Sequence, residues 1–408
     1  MSTEHKLKTV GLVSCVSRKG ELRTAAEELY KSPLFDGLSY YARTRTSEWF
    51  ILSAKYGLIE PRTVIEPYEL TLLNQHSDER RAWAEGVYSV LERHLSAGDR
   101  VVFLAGEAYR EFLDARLQRS GILTTAPLSS MGIGKQVAWL KRLSTERIRV
   151  AHLDRLYASL RRLGEGMGGL RRLGECTART IWPQKGVYFF FENSELRTLD
   201  PFQLRVVRVG THAVSAGSVS SIWGRLRTHR GGVDGSGNHR GSIFRLHVGN
   251  ALLNRACLRA AFPTWGIGQS APAEIRAEEA PVELEVSHAI GSMQVLFINV
   301  ADEAGPASDR SYLERNLVAM LAGPTGPLDV PSGTWLGNES VHDAVRTSGL
   351  WNVNYVRDTY DPEVLDVLDQ YVEVTLGNIA PPARSLARSQ WWTRVPQLTT
   401  QLKQASLL

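Results

Sequence analysis

The chain has 408 residues, with 48 lysines and arginines against 43 acidic residues, a formal net charge of +5, and 43% hydrophobic residues. That composition excludes wholesale disorder, and a pI of about 9.1 suits a polyanionic partner without requiring one. Cys15, Cys176 and Cys257 are too scattered for a zinc site or a disulfide framework. No stretch reaches the length of a membrane span, and the N-terminus lacks the apolar region of a signal peptide. A cytoplasmic protein of two domains is expected.

In chain order, "KTVGLVSCV", "EWFILSA" and "DRVVFLAG" are short β-rich runs, and "SDERRAWAEGVYSVLERHL" between the last two has apolar residues at helical spacing behind an acidic first turn. The alternation predicts an α/β domain with a mostly parallel sheet over residues 1–143, its ligand site at the strand carboxyl ends. Ser14, Lys19, Lys55, Tyr56, Tyr68 and Glu107 follow such strands. Together they offer cations, aromatic faces and hydroxyls, a mixture suited to a flipped or single-stranded base and its phosphates. Tyr56 and Tyr68 could equally be core aromatics and the lysines surface groups. "SSMGIGKQVAWL" reads as a glycine-rich helix start and not a P-loop, because Ser129 and Gln136 stand where glycine and Ser/Thr are needed.

Residues 144–180 are basic and helix-rich and repeat "LRRLGE"; they read as a helical connector broken at Gly166–Gly169. From 181 to 380, four strand-like runs, "GVYFFFE", "LRVVRVG", "GSIFRLHVG" and "MQVLFINV", accompany helical "SSIWGRLRTHRG" and "DRSYLERNLVAMLAG". A small α+β domain with a mostly antiparallel sheet follows from them, then a tail over 381–408. Strand alternation sets Val207 and Val209 on the face opposite Arg208.

Phosphodiester hydrolysis needs a positioned water, a cation on the scissile phosphate and usually a carboxylate-held divalent metal. Candidates occur in order: Tyr188 in "GVY", then "VGTH" ending at His212, then Arg225 and His229 on one helical face, then Glu314 on a later helix. His239 and Arg240, in a glycine-rich loop, are candidate phosphate or DNA contacts.

In these motifs residues 182–360 resemble the GIY-YIG nuclease superfamily, in particular an uncharacterised bacterial branch that carries Arg at the position of Arg208. The resemblance implies a metal-dependent DNA endonuclease. Arg225 would contact the scissile phosphate, His229 would assist, Tyr188 would help activate water, and Glu314 would hold Mg2+ or another divalent metal. Arg208 replaces the second signature tyrosine and is expected in the same groove as a phosphate clamp. The family's late asparagine has three candidates, Asn316, Asn338 and Asn352, with Asn316 preferred. Residues 8–143 resemble an uncharacterised bacterial and phage domain family, loosely similar to uracil-DNA-glycosylase-like and YaaA-type domains.

The expected function is therefore DNA cleavage, with the first domain selecting the DNA, modified bases and a restriction or phage-defence role included. A non-catalytic nucleic-acid-binding protein and a base-excising enzyme coupled to a nuclease stand as alternatives. The oligomeric state is left open, a homodimer among the options.

Overall fold

The computed structural model describes residues 7–212, 220–303, 305 and 307–387; most of the expected 381–408 tail lies outside them. The chain divides into two units, one formed by 1–146 with 197–203, the other by 147–196 with 204–408.

The first unit runs β1 (Thr9–Ser14), β2 (Thr24–Ala25), α1 (Ala26–Leu29), α2 (Pro33–Arg45), β3 (Glu48–Ser53), β4 (Gly57–Ile59) and β5 (Val64–Ile65). It continues with α3 (Ser77–Leu91), β6 (Arg100–Leu104), α4 (Glu107–Arg119), β7 (Leu123–Thr125) and α5 (Ile133–Thr145). Its main sheet has the order β4-β3-β1-β6-β7. Every pairing is parallel except β3 with β4. Strand order reverses direction between β1 and β6, so the carboxyl ends of these two strands flank a topological switch point, where open α/β sheets hold ligands. Val10, Leu12, Val13, Ile51, Leu52 and Val101–Leu104 are buried, as expected of central strands covered on both faces. The α3 start is tied by the His76 backbone N–H donating to the Glu79 carboxylate at 2.8 Å.

The second unit runs α6 (Arg147–Gly166), β8 (Arg171–Arg172), β9 (Gly186–Leu196), β10 (Leu204–Thr211), α7 (Ile222–Arg230) and α8 (Ile243–Arg255). Then come α9 (Ala273–Ser292), β11 (Gln294–Asn299), α10 (Asp309–Ala322), α11 (Asp343–Ser348) and α12 (Val364–Thr375). The sheet order is β10-β9-β11-β8, antiparallel throughout. Its core joins Tyr188, Phe190, Val207, Leu226, Phe244, Val248, Trp335 and Trp351.

"GSIFRLHVG", expected as a strand, is the beginning of helix α8. Ser242 caps it by accepting from the Arg245 N–H, and Phe244, Val248 and Ala251 recur at helical spacing into the core. The apolar run is too short for periodicity alone to separate helix from strand. Strand β10 also departs from plain alternation. Its register against β9 shifts between Val206 and Arg208, a bulge that re-aims the side chains around it.

Candidate active site

Two signature glycines have direct steric reasons. A Cβ at Gly210 would lie 2.5 Å from the Tyr188 ring, which crosses β10 there, and one at Gly186 would strike the Ile298 carbonyl. Gly186 therefore makes room for the backbone of β11, and Gly210 for the Tyr188 ring. Its hydroxyl is 2.9 Å from His229 Nε2, and His229 Nδ1 is 2.7 Å from Ser242 Oγ. Tyr188 and His229 are both without exposed surface. Burial first, then the charges of Arg208, Arg225 and Arg245, holds His229 well below the usual imidazole range, so it is neutral.

Above this buried chain lie Arg225 on α7 and Glu314 on α10, both partly exposed. Burial raises the Glu314 carboxyl to about 7 against the opposing pull of Arg208, a backbone N–H of Thr211 and Arg225. The structure thus brings Tyr188, Arg208, Arg225, His229 and Glu314 into one electrostatic neighbourhood.

Arg208 is buried, not solvent-facing. Its Nη1 donates to the Trp351 carbonyl at 2.9 Å, and its guanidinium lies 4.6 Å over the Phe244 ring. The outer edge of β10 is covered by the segment carrying Trp351 and Asn352. Trp351 N–H donates to Val207 O at 2.7 Å, while Asn352 accepts from Val209 N–H at 3.1 Å and donates to Val209 O at 2.8 Å.

His212 sits at the end of β10, with Nε2 on the Gln184 carbonyl at 3.1 Å. Burial, then the charges of Arg310, Arg225 and Lys185, depresses it to about 4 despite that bond. It borders the Arg225 side of the site.

Three expected contacts with DNA are corrected. Asn316 is fully buried, donating to Tyr312 O at 2.8 Å and accepting from Asp361 N–H at 2.8 Å, which locks it inside the helix packing. His239 stacks on Trp265 at 3.9 Å and bonds Glu283 at 2.9 Å. Arg240 is consumed by Glu279, with Nη2 to Oε1 at 2.9 Å. Glycines in that loop admit these buried ion pairs and do not advertise a phosphate cradle. A deeper tie lies alongside them: Arg245 pairs with Glu283 and donates from Nη1 to His229 O and Arg230 O, each at 3.0 Å, binding the end of α7 to α8 and α9.

In the first unit, Lys19, Lys55, Tyr56 and Tyr68 do gather. Lys19 Nζ is 4.4 Å and Lys55 Nζ 6.0 Å from the Tyr68 ring, and Tyr56 meets that ring edge-on at 5.4 Å. Tyr68 hydroxyl bonds Ser53 Oγ at 2.8 Å and Tyr30 hydroxyl at 2.9 Å, and Cys15 Sγ lies 3.2 Å from Tyr109 hydroxyl. Burial pushes Tyr30 up to about 12 and raises Tyr68 and Tyr109 further, so the hydroxyls are neutral. Ser14 ends β1 beside this cluster. Glu107 does not join it: it is exposed at the start of α4 and pairs with Arg110.

Sequence reasoning missed Ser242, Phe244 and Trp351 in the second unit, ranked Asn352 behind Asn316, and missed Tyr30, Ser53, Cys15 and Tyr109 in the first. Only Ser242 had a local signal, as a serine preceding an apolar helical run.

Among the described residues no three His, Cys, Asp or Glu side chains gather as a metal cage. Glu314, a lone carboxylate that burial leaves under-compensated, fits an ion that keeps its waters and draws further ligands from phosphate, as Mg2+ does.

The GIY-YIG domain family matches residues 147–377, more than half of the chain. The chain therefore belongs to the GIY-YIG family, a nuclease superfamily. Residues 10–142 match a family of unknown function (DUF6884). A curated relative, "Uncharacterized protein YfjM" of Bacillus subtilis (strain 168), is 32% identical over 129 residues, covering 30% of this chain and 81% of that protein. No solved structure matches. Among the described residues no helix is long and apolar enough to cross a membrane.

Proposed function

We propose that the protein is a divalent-metal-dependent DNA endonuclease whose second unit cuts the phosphodiester and whose first unit selects the DNA. The observation that carries this reading is Glu314, a partly exposed carboxylate raised to about 7 within reach of the Arg208 and Arg225 charges. Arg225 holds the scissile phosphate through its planar fork, and Arg208, anchored on Trp351 O, adds positive potential beneath it. Glu314 holds the metal, which would supply Lewis-acid stabilisation and a more acidic water. Tyr188 and His229 have no exposed surface, so they act from below: their hydrogen bond fixes α7, and hence Arg225, against β9. His212, on the other side of Arg225, shapes the field at the groove and is neutral.

The test is incubation of the protein with unmodified and base-modified duplex DNA, with Mg2+ or with EDTA, reading nicks and abasic sites. Mg2+-dependent nicks lost in Glu314→Gln support the proposal; abasic sites without nicks would favour a base-excising enzyme. Tyr188→Phe separates direct from indirect action. A positioning role predicts about a tenfold fall in rate with an unchanged pH profile, whereas loss of a general base costs about 100-fold or more and removes a limb of that profile.

A second reading is favoured by the neutral hydroxyl cluster of the first unit, which lies at the switch point between β1 and β6 with two lysines over its rings. Aromatic faces with cations suit an unstacked base and its phosphate. We place the selection of DNA there, modified bases included, and a role in restriction or phage defence would follow from such selection.

A further inference from the structure

We propose that Arg208, His247 and His342 form a second phosphate-binding subsite, which takes a phosphodiester of the DNA strand neighbouring the scissile one. The inference rests on the nuclease reading of the groove but adds two histidines that reading leaves idle and a second nitrogen of Arg208. His247 lies on α8 one turn beyond Phe244, the residue whose ring carries the Arg208 guanidinium. It is 2% exposed, and neither of its ring nitrogens has a hydrogen-bond partner. Arg208 repeats the pattern: Nη1 is spent on Trp351 O, while Nε is buried and has no partner. His342, exposed just before α11, meets the His247 ring edge-on at 4.3 Å.

A neutral imidazole always presents one N–H and one lone pair, and leaving such groups buried and unmatched is unfavourable. Burial, then the charges of His342 and Arg208, holds His247 down at about 3, so it donates as a neutral ring. The same positive surroundings decide the ligand's sign. A metal dication would be repelled by Arg208, whereas an oxyanion would be drawn to its charge and could accept from the donors that Arg208 Nε and His247 leave unpartnered, with the exposed His342 beside them. Phosphodiester oxygens are the anions that a DNA-cutting groove would present there, and side-chain N–H groups of this kind set register on the backbone without reading sequence.

The experiment measures binding in EDTA, so that no cleavage is required. Anisotropy of a labelled duplex oligonucleotide is followed with the full chain, with inorganic phosphate as competitor, and the imidazole 15N signals of His247 are recorded with and without DNA. His342→Ala, on an exposed loop, should weaken binding about three- to tenfold, and His247→Leu by about tenfold or more. His247→Gln keeps an N–H donor and should lose less than His247→Leu. In Mg2+, His342→Ala should raise KM more than it lowers kcat. Unmoved His247 signals at saturating DNA, together with wild-type affinity in His342→Ala, would overturn the subsite. DNA binding that depends on these residues in a protein that cuts nothing would keep the subsite and remove the nuclease reading.

Discussion

The groove of the second unit and the cluster of the first handle polarity in opposite ways. Around Glu314 the protein gathers ionisable groups in a partly buried site: a carboxyl raised to about 7, the charges of buried Arg208 and partly exposed Arg225 within its reach, and a neutral imidazole below. Around Tyr68 it buries neutral tyrosine hydroxyls together with Ser53 and Cys15, and leaves the two cations outside on aromatic faces. Fixed charges in a partly dry groove stabilise charge that develops during a reaction. Neutral hydroxyls in fixed positions instead discriminate shape and hydrogen-bonding pattern. The contrast teaches where chemistry and where selection belong, and it can be attacked from both ends.

The largest effect is expected from Glu314→Gln, which should lower the Mg2+-dependent cutting rate by about two to three orders of magnitude, measured in single turnover. Unaltered cutting would move the metal elsewhere. Next comes Arg225→Ala, with about a hundredfold loss of rate and a far smaller loss of affinity; Arg225→Lys should recover only part, because an ammonium lacks the fork. An equal fall in both quantities would demote it to a simple backbone contact. In the first unit, Lys19→Ala combined with Lys55→Ala should weaken DNA binding by about tenfold while cutting at saturation persists. If that double variant lost cutting and kept binding, the division of labour would be reversed.

The last prediction concerns stability and not rate or affinity. Glu314 has a folded pKa of about 7 against an ordinary value of 4.5, so between these values the folded state binds more protons than the unfolded one. Stability of the metal-free protein should therefore fall as pH rises from 4.5 to 7 and level off above, by no more than about 3–4 kcal/mol for this group. Thermal melts in EDTA should show that slope flattened in Glu314→Gln, and Mg2+ should restore stability at pH 8 in the native protein only.

Much of the second unit's site was legible because its parts are local. Arg225 and His229 share a helix turn, Glu314 sits on a plainly helical stretch, and the glycines at 186 and 210 mark close strand passage. What failed depended on tertiary packing. Asn316 looked available beside Glu314, yet two residues further along a helix changes the face, and its amide is taken by Tyr312 and Asp361. Arg208 appeared to sit on a simple alternating strand, but the bulge and the covering Trp351–Asn352 segment bury it. The α8 run was ambiguous in period until Phe244 and Val248 were seen to share the core with Tyr188. In the first unit the lysines and tyrosines stood out, whereas Tyr30, Ser53, Cys15 and Tyr109 come from four separate segments and carry no shared spacing.

The short stretch 197–203, between β9 and β10, is counted with the first unit, where Tyr41 hydroxyl donates to Thr198 O at 2.7 Å and Arg45 Nε to Leu199 O at 2.8 Å. The polypeptide thus passes from one unit to the other at 146/147, returns at 196/197 and leaves again at 203/204. Dissection by a single cut is consequently the wrong tool. A fragment ending at residue 146 would lack the strand-connecting piece that α2 holds, while its complement would carry that piece without its seat. Separate expression of the halves would then report a deletion as well as a separation. A cleaner dissection would replace 197–203 with a short polar turn in the second fragment and graft those seven residues, through a flexible linker, onto the end of the first.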